Sequence, residues 1–402
     1  MRIYNAASEE ALRARKLLKD WASEGLITEA QHQRMEQDIV CDLRTTNIFL
    51  RIVLFLFTAI IVCAAVGLFY AGVLSRPTEQ TTGIFLLIFA AVAYAVAEAA
   101  VSQSKLYRYG IEEAVAVCAV GFLCVGMLMA FSSGGLLGAA QKTIEPWVLA
   151  AGAVSSLWVW HRFGLWYAFL AAMIFLFFLP DYWTSSHSAR HLIVAIFYSA
   201  GLAVVALGRS RHRFDYLDDD YSLVEAMLWL GIYLPINLQL SSLNLLPGLV
   251  RPHTGAADEF SRPYYWTTWV LTWCVPPVVL ARGIRRKDRF VIAAGAIVAI
   301  LTLVTNKPYL GWERHTWDPM LLGTLLTGVA LFIRRWLTRG KDGVRHGFTA
   351  ERLSSKDKQW MSVGSTALGL LSPSVLPSSQ TSGNDARFGG GDSGGAGASC
   401  DF

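Results

Sequence analysis

The chain has 402 residues, of which 54% are hydrophobic and only 16% charged, and its mean hydropathy is +0.40, more apolar side chain than a soluble core of this size can hide. That excludes an ordinary water-soluble domain and makes a bilayer the expected solvent. The net charge of +5 is small for the length and sits at the ends of apolar segments, which excludes a nucleic-acid-binding face, and six scattered cysteines form neither a disulfide framework nor a zinc site.

Residues 1 to 47 are polar and helical in pattern. A charged run follows Met1, so no secretory signal is expected. Ser8 with Glu9 and Glu10 predicts a helix start, Leu18, Trp21 and Ala22 share a face with Ala11 and Ala14, and Gly25 predicts the stop. Thr28 and Gln31 have the spacing of a capping box, and Met35, Ile39 and Leu43 continue a second helix at four-residue intervals. The expectation is a cytoplasmic helical hairpin that leads into the membrane and offers a handle to a protein partner.

The run Leu18-Lys-Asp-Trp21-Ala-Ser-Glu24-Gly25-Leu26-Ile27-Thr28-Glu-Ala-Gln31, placed ahead of a many-span apolar region, resembles the amino-terminal domain of the bacterial membrane-protein family catalogued as domain of unknown function 2157. The resemblance implies a multi-pass bacterial inner-membrane protein and carries no mechanism with it.

A helix needs roughly 20 apolar residues to cross about 30 Å of hydrocarbon. On that scale ten segments are expected to span: 48 to 74, 82 to 101, 111 to 131, 146 to 160, 165 to 180, 191 to 208, 223 to 247, 264 to 284, 290 to 306 and 317 to 337. The fold class is therefore all-α, a polytopic transmembrane bundle over residues 48 to 337. The fourth and fifth segments are short and only His161, Arg162, Phe163 and Gly164 separate them. If the amino terminus is cytoplasmic, inside loops carry 11 basic residues against 7 outside, and Arg334, Arg335, Arg339 and Lys341 flank the last span. By the positive-inside rule both termini are then cytoplasmic. Residues 338 to 402 form a tail rich in Gly and Ser that is expected to be disordered, with one amphipathic contact at 360 to 376.

Two adjacent segments are interrupted. Pro235 breaks one, followed by Asn237, Gln239, Ser241, Ser242 and Asn244; Pro276-Pro277 breaks the other, below Trp266, Trp269 and Trp273. Proline frees carbonyls that side chains, water or a ligand must satisfy. Asn237, Ser241, Asn244, Thr268, Thr272 and Trp273 are accordingly the candidate ligand-binding residues of a periplasm-facing cavity. The bland reading is a pair of kinked helices joined by interhelical hydrogen bonds.

Charge inside a bilayer is costly, so its position matters. Glu98, Glu112 and Glu113 all lie near segment ends, where interfacial anchoring is the leading explanation; the alternative is a candidate cytoplasmic acidic mouth for a cation or proton. Arg209, Arg211 and Arg213 face Asp215, Asp218, Asp219 and Asp220, and such blocks pair with each other or with lipid head groups. Glu313, His315 and Asp318 share an outer loop with two tryptophans, without a recognised ligand spacing. No cofactor or metal is expected. Three functions follow: a non-enzymatic protein acting through partners, a transporter or lipid-handling protein using the broken pair, and an outer-face enzyme using His315 and Asp318.

Overall fold

Over the described residues, the apolar segments of the sequence are met by helices. The computed structural model describes residues 3–23, 25–39, 43–73, 78–131, 141–211, 218–240, 260–312, 315, 317–340, 344–345 and 348–349. Among these residues there are twelve α-helices: α1 (Ala6–Ser23), α2 (Glu29–Asp38), α3 (Ile48–Val73), α4 (Glu79–Ser104), α5 (Ile111–Phe131), α6 (Gln141–Phe163), α7 (Trp166–Phe178), α8 (His187–Arg211), α9 (Asp218–Ile236), α10 (Arg262–Arg286), α11 (Arg289–Tyr309) and α12 (Asp318–Thr338). By length and composition six of them, α3, α4, α5, α8, α11 and α12, can cross a membrane. With the 3-10 turn that follows it, α7 makes a shorter apolar helix, Trp166–Tyr182. The expected tail beyond residue 349 lies outside the described residues; before it, Val344–Arg345 and Phe348–Thr349 form a two-residue antiparallel pair.

The amino-terminal hairpin forms with shifted boundaries. Asn5, not Ser8, opens α1, because its Oδ1 accepts the Ala7 amide at 3.1 Å. Gly25 ends it from a left-handed φ of +73°, a conformation that costs glycine little. The capping box forms as read: Thr28 Oγ1 accepts the Gln31 amide and Gln31 Oε1 accepts the Thr28 amide. Arg15 bridges the two helices to Glu36 at 2.7 Å. The helix stops at Asp38, so the periodicity through Ile39 and Leu43 overran its end.

Close packing of small residues sets the hairpins of the bundle. Between α4 and α5 the seam is Ala90, Ala93, Ala97, Ala114, Ala116 and Ala119, all buried. The neighbouring Ala91 and Ala95 are exposed, since a uniformly apolar helix gives no periodicity to locate its packed face. Gly152 and Ser156 are buried, Gly152 beneath the Phe175 ring of α7. That contact and the Trp160–Phe169 ring pair make α6 and α7 two separate antiparallel helices, joined through Gly164 at φ +69°.

Pairings such as Gly83 with Ala130, Gly208 with Tyr221 and Gly283 with Ile292 show the same antiparallel arrangement for α4–α5, α8–α9 and α10–α11. The bundle therefore has two ends. A first face gathers the starts of α3, α5, α7, α9 and α11 with the ends of α4, α6, α8 and α10. The second face gathers the opposite ends.

Candidate functional site

At the second face the broken pair is brought together, but by a third helix. Tyr233 on α9 and Asn237, just past its end, meet Thr302 and Thr305 on α11, and Thr268 and Thr272 on α10 are buried beside them. Asn237 Nδ2 donates to Tyr233 Oη at 2.7 Å and to Thr305 Oγ1 at 2.8 Å, and its Oδ1 accepts the Gln239 amide at 3.2 Å. Gln239 donates to Tyr265 Oη, which donates to the Tyr309 carbonyl; Tyr309 Oη accepts the Leu238 amide. The carbonyl of Thr272, released by Pro276 one turn later, accepts from Thr302 Oγ1 at 3.1 Å. At the other break the Pro235 carbonyl lies 2.7 Å from His191 Nδ1 of α8.

Thr268 and Thr272 bond back to the carbonyls of Tyr265 and Thr268 on their own helix. Each expected ligand contact among the described residues is thus occupied by the protein itself. Trp266 and Trp273 face outward, and Trp269 and Trp273 both donate to Asn306 Oδ1 at 3.2 Å. They brace the outside of α10 against α11 and line no interior wall. Ser241, Ser242 and Asn244 lie outside the described residues. The α11 contributors went unread in the sequence, although Thr302, Thr305 and Tyr309 fall at helical spacing on one face.

Asn237→Ala is expected to lower the stability of the bundle by about 1–3 kcal/mol, because it strips partners from buried hydroxyls. Equilibrium unfolding in mixed detergent would measure it, and an unchanged midpoint would show that these hydroxyls do not depend on Asn237.

The first face carries two ionic clusters. In the first, Glu225 is fully buried and accepts from Arg209 Nη1 at 2.8 Å, from Arg286 Nη1 at 3.2 Å and from Arg282. Arg209 also contacts Asp218 at 2.8 Å and Asp288 at 2.5 Å. Asp288 caps α11 through the Phe290 and Val291 amides and accepts from Ser222 Oγ at 2.5 Å. Burial alone would raise its pKa, but Ser222 and Arg209 overcome it and hold the carboxyl below its ordinary 3.8. The cluster ties the ends of α8 and α10 to the starts of α9 and α11. The expected pairing within the Arg209 block and its neighbouring aspartates forms between Arg209 and Asp218; Glu225, Arg282 and Asp288 come from beyond that block, and only the hairpin geometry unites them with it.

The second cluster separates the three glutamates read as one acidic mouth. Glu98 on α4 takes a bidentate pair from Arg162 on α6, at 2.7 and 3.1 Å, and a hydrogen bond from Tyr94 at 2.8 Å. Glu113 on α5 takes a bidentate pair from Arg51 on α3. Glu112, only 1% exposed, accepts the Tyr109 amide on Oε1 at 2.7 Å, while its Oε2 has no hydrogen-bond partner. Gly110 makes this approach feasible: its φ is +102°, and a Cβ there would lie 2.3 Å from the Arg51 carbonyl oxygen.

Near the start of α12, Asp318 is held by Lys307 Nζ at 2.5 Å and by the His315 amide at 3.0 Å, and His315 stacks on Trp317. Glu313 lies outside the described residues. Among the described residues no three His, Cys, Asp or Glu side chains are grouped as metal ligands would be. Searches against protein-family models, curated proteins and solved structures find no match to this chain.

Proposed function

We propose that this is a multi-pass inner-membrane protein that performs no catalysis and acts by presenting its amino-terminal hairpin to a protein partner. The observation that carries the reading is an apolar surface on a tethered polar hairpin that precedes the apolar helices. Leu17, Trp21, Leu26 and Met35 of the hairpin are exposed, Leu26 at 68%. The residues on either side of the hairpin are fastened to the bundle, by the Ile3 amide on the Arg162 carbonyl and by Arg44 paired with Leu106. Large apolar residues on a polar, water-facing element are a recognised mark of an interaction surface.

In this reading α3 to α12 are ten spans and both termini are cytoplasmic, supported by the 11 to 7 distribution of basic loop residues. The kinship with the domain of unknown function 2157 family belongs to the same proposal, and the formed Thr28–Gln31 capping box supports the local pattern on which it rests. The alternative of a transported solute or lipid between α9 and α10 draws less support, because the polar groups there satisfy one another. An outer-face enzyme draws least, with Asp318 committed to Lys307.

Photo-crosslinking residues placed at Trp21 and Leu26 of the full-length protein in its own membrane test the reading. A discrete adduct is expected from both positions and is expected to disappear when Leu17 and Met35 are changed to Ser. Absence of an adduct from either position, beside a productive lipid crosslink from Val53 on α3, would count against it.

A further inference from the structure

The turn between α10 and α11 holds more positive charge than the ionic cluster beneath it uses. In that cluster three guanidinium groups, Arg209, Arg282 and Arg286, meet three carboxylates, Asp218, Glu225 and Asp288, so it is neutral as a whole. Arg285, Lys287 and Arg289 stand outside it. All three are exposed, and among the described residues none of them contacts a carboxylate. Arg289 lies over the Phe290 ring, 4.9 Å from its centroid.

The turn is also held in shape, and its shortness keeps the three charges together. Lys287 ends α10 from a left-handed φ of +56°, and its amide donates to the carbonyls of Gly283 and Ile284. Gly283 lies so close to α11 that a Cβ there would meet the Ile292 amide nitrogen at 2.8 Å, and Asp288 caps α11 while paired with Arg209. Next to the unpaired charges the helix surface is apolar. Cys274, Val278 and Ala281 precede Arg285 at helical spacing and are exposed, and Ala293 and Ile297 follow Arg289 in the same way. The turn opens α11, a helix long and apolar enough to cross a membrane. Clustered cations at the end of such a helix, with bare apolar surface running away from two of them, match a molecule with an anionic head and acyl chains.

We propose that the α10–α11 turn is an interaction surface for an anionic phospholipid: Arg285, Lys287 and Arg289 supply the positive charge that its headgroup phosphate meets, and its acyl chains lie against the exposed apolar surface of α10 and α11 beside the turn. Holding the cations in place before the lipid arrives lowers the ordering cost of binding it. Arg334, Arg335 and Arg339 at the end of α12 are the contrasting case. They are equally exposed, but the helix that carries them has no buried residue to fix it against the bundle. The proposal rests on the reading of α10 and α11 as spans and is independent of the hairpin's partner, so the crosslinking result and the lipid result can fail separately.

The test is native mass spectrometry of the full-length protein, titrated in neutral detergent with dioleoyl phosphatidylglycerol or with dioleoyl phosphatidylcholine, which has the same chains and a zwitterionic head. Wild type is expected to bind phosphatidylglycerol at least tenfold more tightly. Arg285→Gln, Lys287→Gln and Arg289→Gln together are expected to cut that affinity at least tenfold, since each basic residue at an anionic surface contributes roughly fivefold. The same variant is expected to keep its phosphatidylcholine binding and its thermal midpoint. Arg334→Gln, Arg335→Gln and Arg339→Gln together remove the same charge from α12 and are expected to leave the phosphatidylglycerol affinity within about twofold of wild type. Excess glycerol phosphate, a headgroup without chains, is expected not to displace the bound lipid. Equal affinity of wild type for the two lipids, a turn variant that binds phosphatidylglycerol like wild type, an equal loss in the α12 variant, or displacement by glycerol phosphate overturns the proposal.

Discussion

Replacing Glu225 with alanine is expected to destabilise the bundle by about 3–5 kcal/mol, the usual cost of removing one partner from a buried ion pair. Glu225 is the shared acceptor of Arg209, Arg282 and Arg286, and its own side chain is fully buried. Its loss leaves Arg209, only 9% exposed, with Asp218 and Asp288 and strips Arg282 of the carboxylate it contacts. Glu225→Gln keeps hydrogen-bond acceptance while losing the charge, and a smaller loss is expected from it. Arg282→Ala and Arg286→Ala are expected to cost less still, because those side chains are 29% and 33% exposed and reach solvent.

Thermal midpoints of the purified variants measure the series, and a Glu225→Ala midpoint equal to wild type would remove the cluster from any stabilising role. The same cluster predicts a pH dependence. Asp288 has its carboxyl pKa depressed in the folded state, so its stabilisation is fully present above the ordinary value of 3.8 and is lost as pH falls through the depressed value. The wild-type midpoint is therefore expected to lose this contribution only in acid, and Asp288→Asn is expected to flatten that acid limb.

The second large effect is steric. A Cβ at Gly83 would lie 2.1 Å from the Ala130 amide nitrogen and 2.5 Å from its Cα, both backbone atoms of α5. No rotamer change relieves a clash with backbone, so the helices must separate. Separation opens the whole seam of buried alanines that the close approach permits. Overpacking typically costs 1–3 kcal/mol, and Gly83→Val, with two further carbons, is expected at or above about 3 kcal/mol. Gly121→Val on α5 is the matched control, since a Cβ there meets nothing within 4 Å. Accumulation of the two variants in membranes, measured side by side, decides it. Equal levels would mean that the α4–α5 contact tolerates separation.

Much of this architecture is legible in the sequence because hydropathy is a local property. Among the described residues the expected apolar segments coincide with helices, six of them long and apolar enough to cross a membrane, and the Thr28 capping box was readable because its partners are three residues apart. Helix ends were less well placed: Asn5 and Asp38 bound the hairpin helices where periodicity suggested other residues. Local caps decide such ends, and periodicity does not see them.

Side-chain partners were the least legible. Asn237 was read as a candidate ligand-binding residue; the structure buries it, and its partner Thr305 lies 68 positions away. Glu98, Glu112 and Glu113 look equivalent in sequence. Only packing distinguishes a carboxylate clamped by Arg162 and another clamped by Arg51 from one left with an unpartnered oxygen.

By itself, then, the sequence determined an all-helical chain with enough apolar length for repeated membrane crossing and a polar helical hairpin at its start. Those properties depend on composition and spacing within a single helix. The tertiary structure alone decided which polar groups meet. It turned the broken α9–α10 pair into an internally satisfied lattice and joined Arg209, Glu225 and Asp288 across hairpin ends. The physical reason is that hydrogen bonds and ion pairs act over a few ångströms, and the chain distances they bridge here follow from how the helices stack.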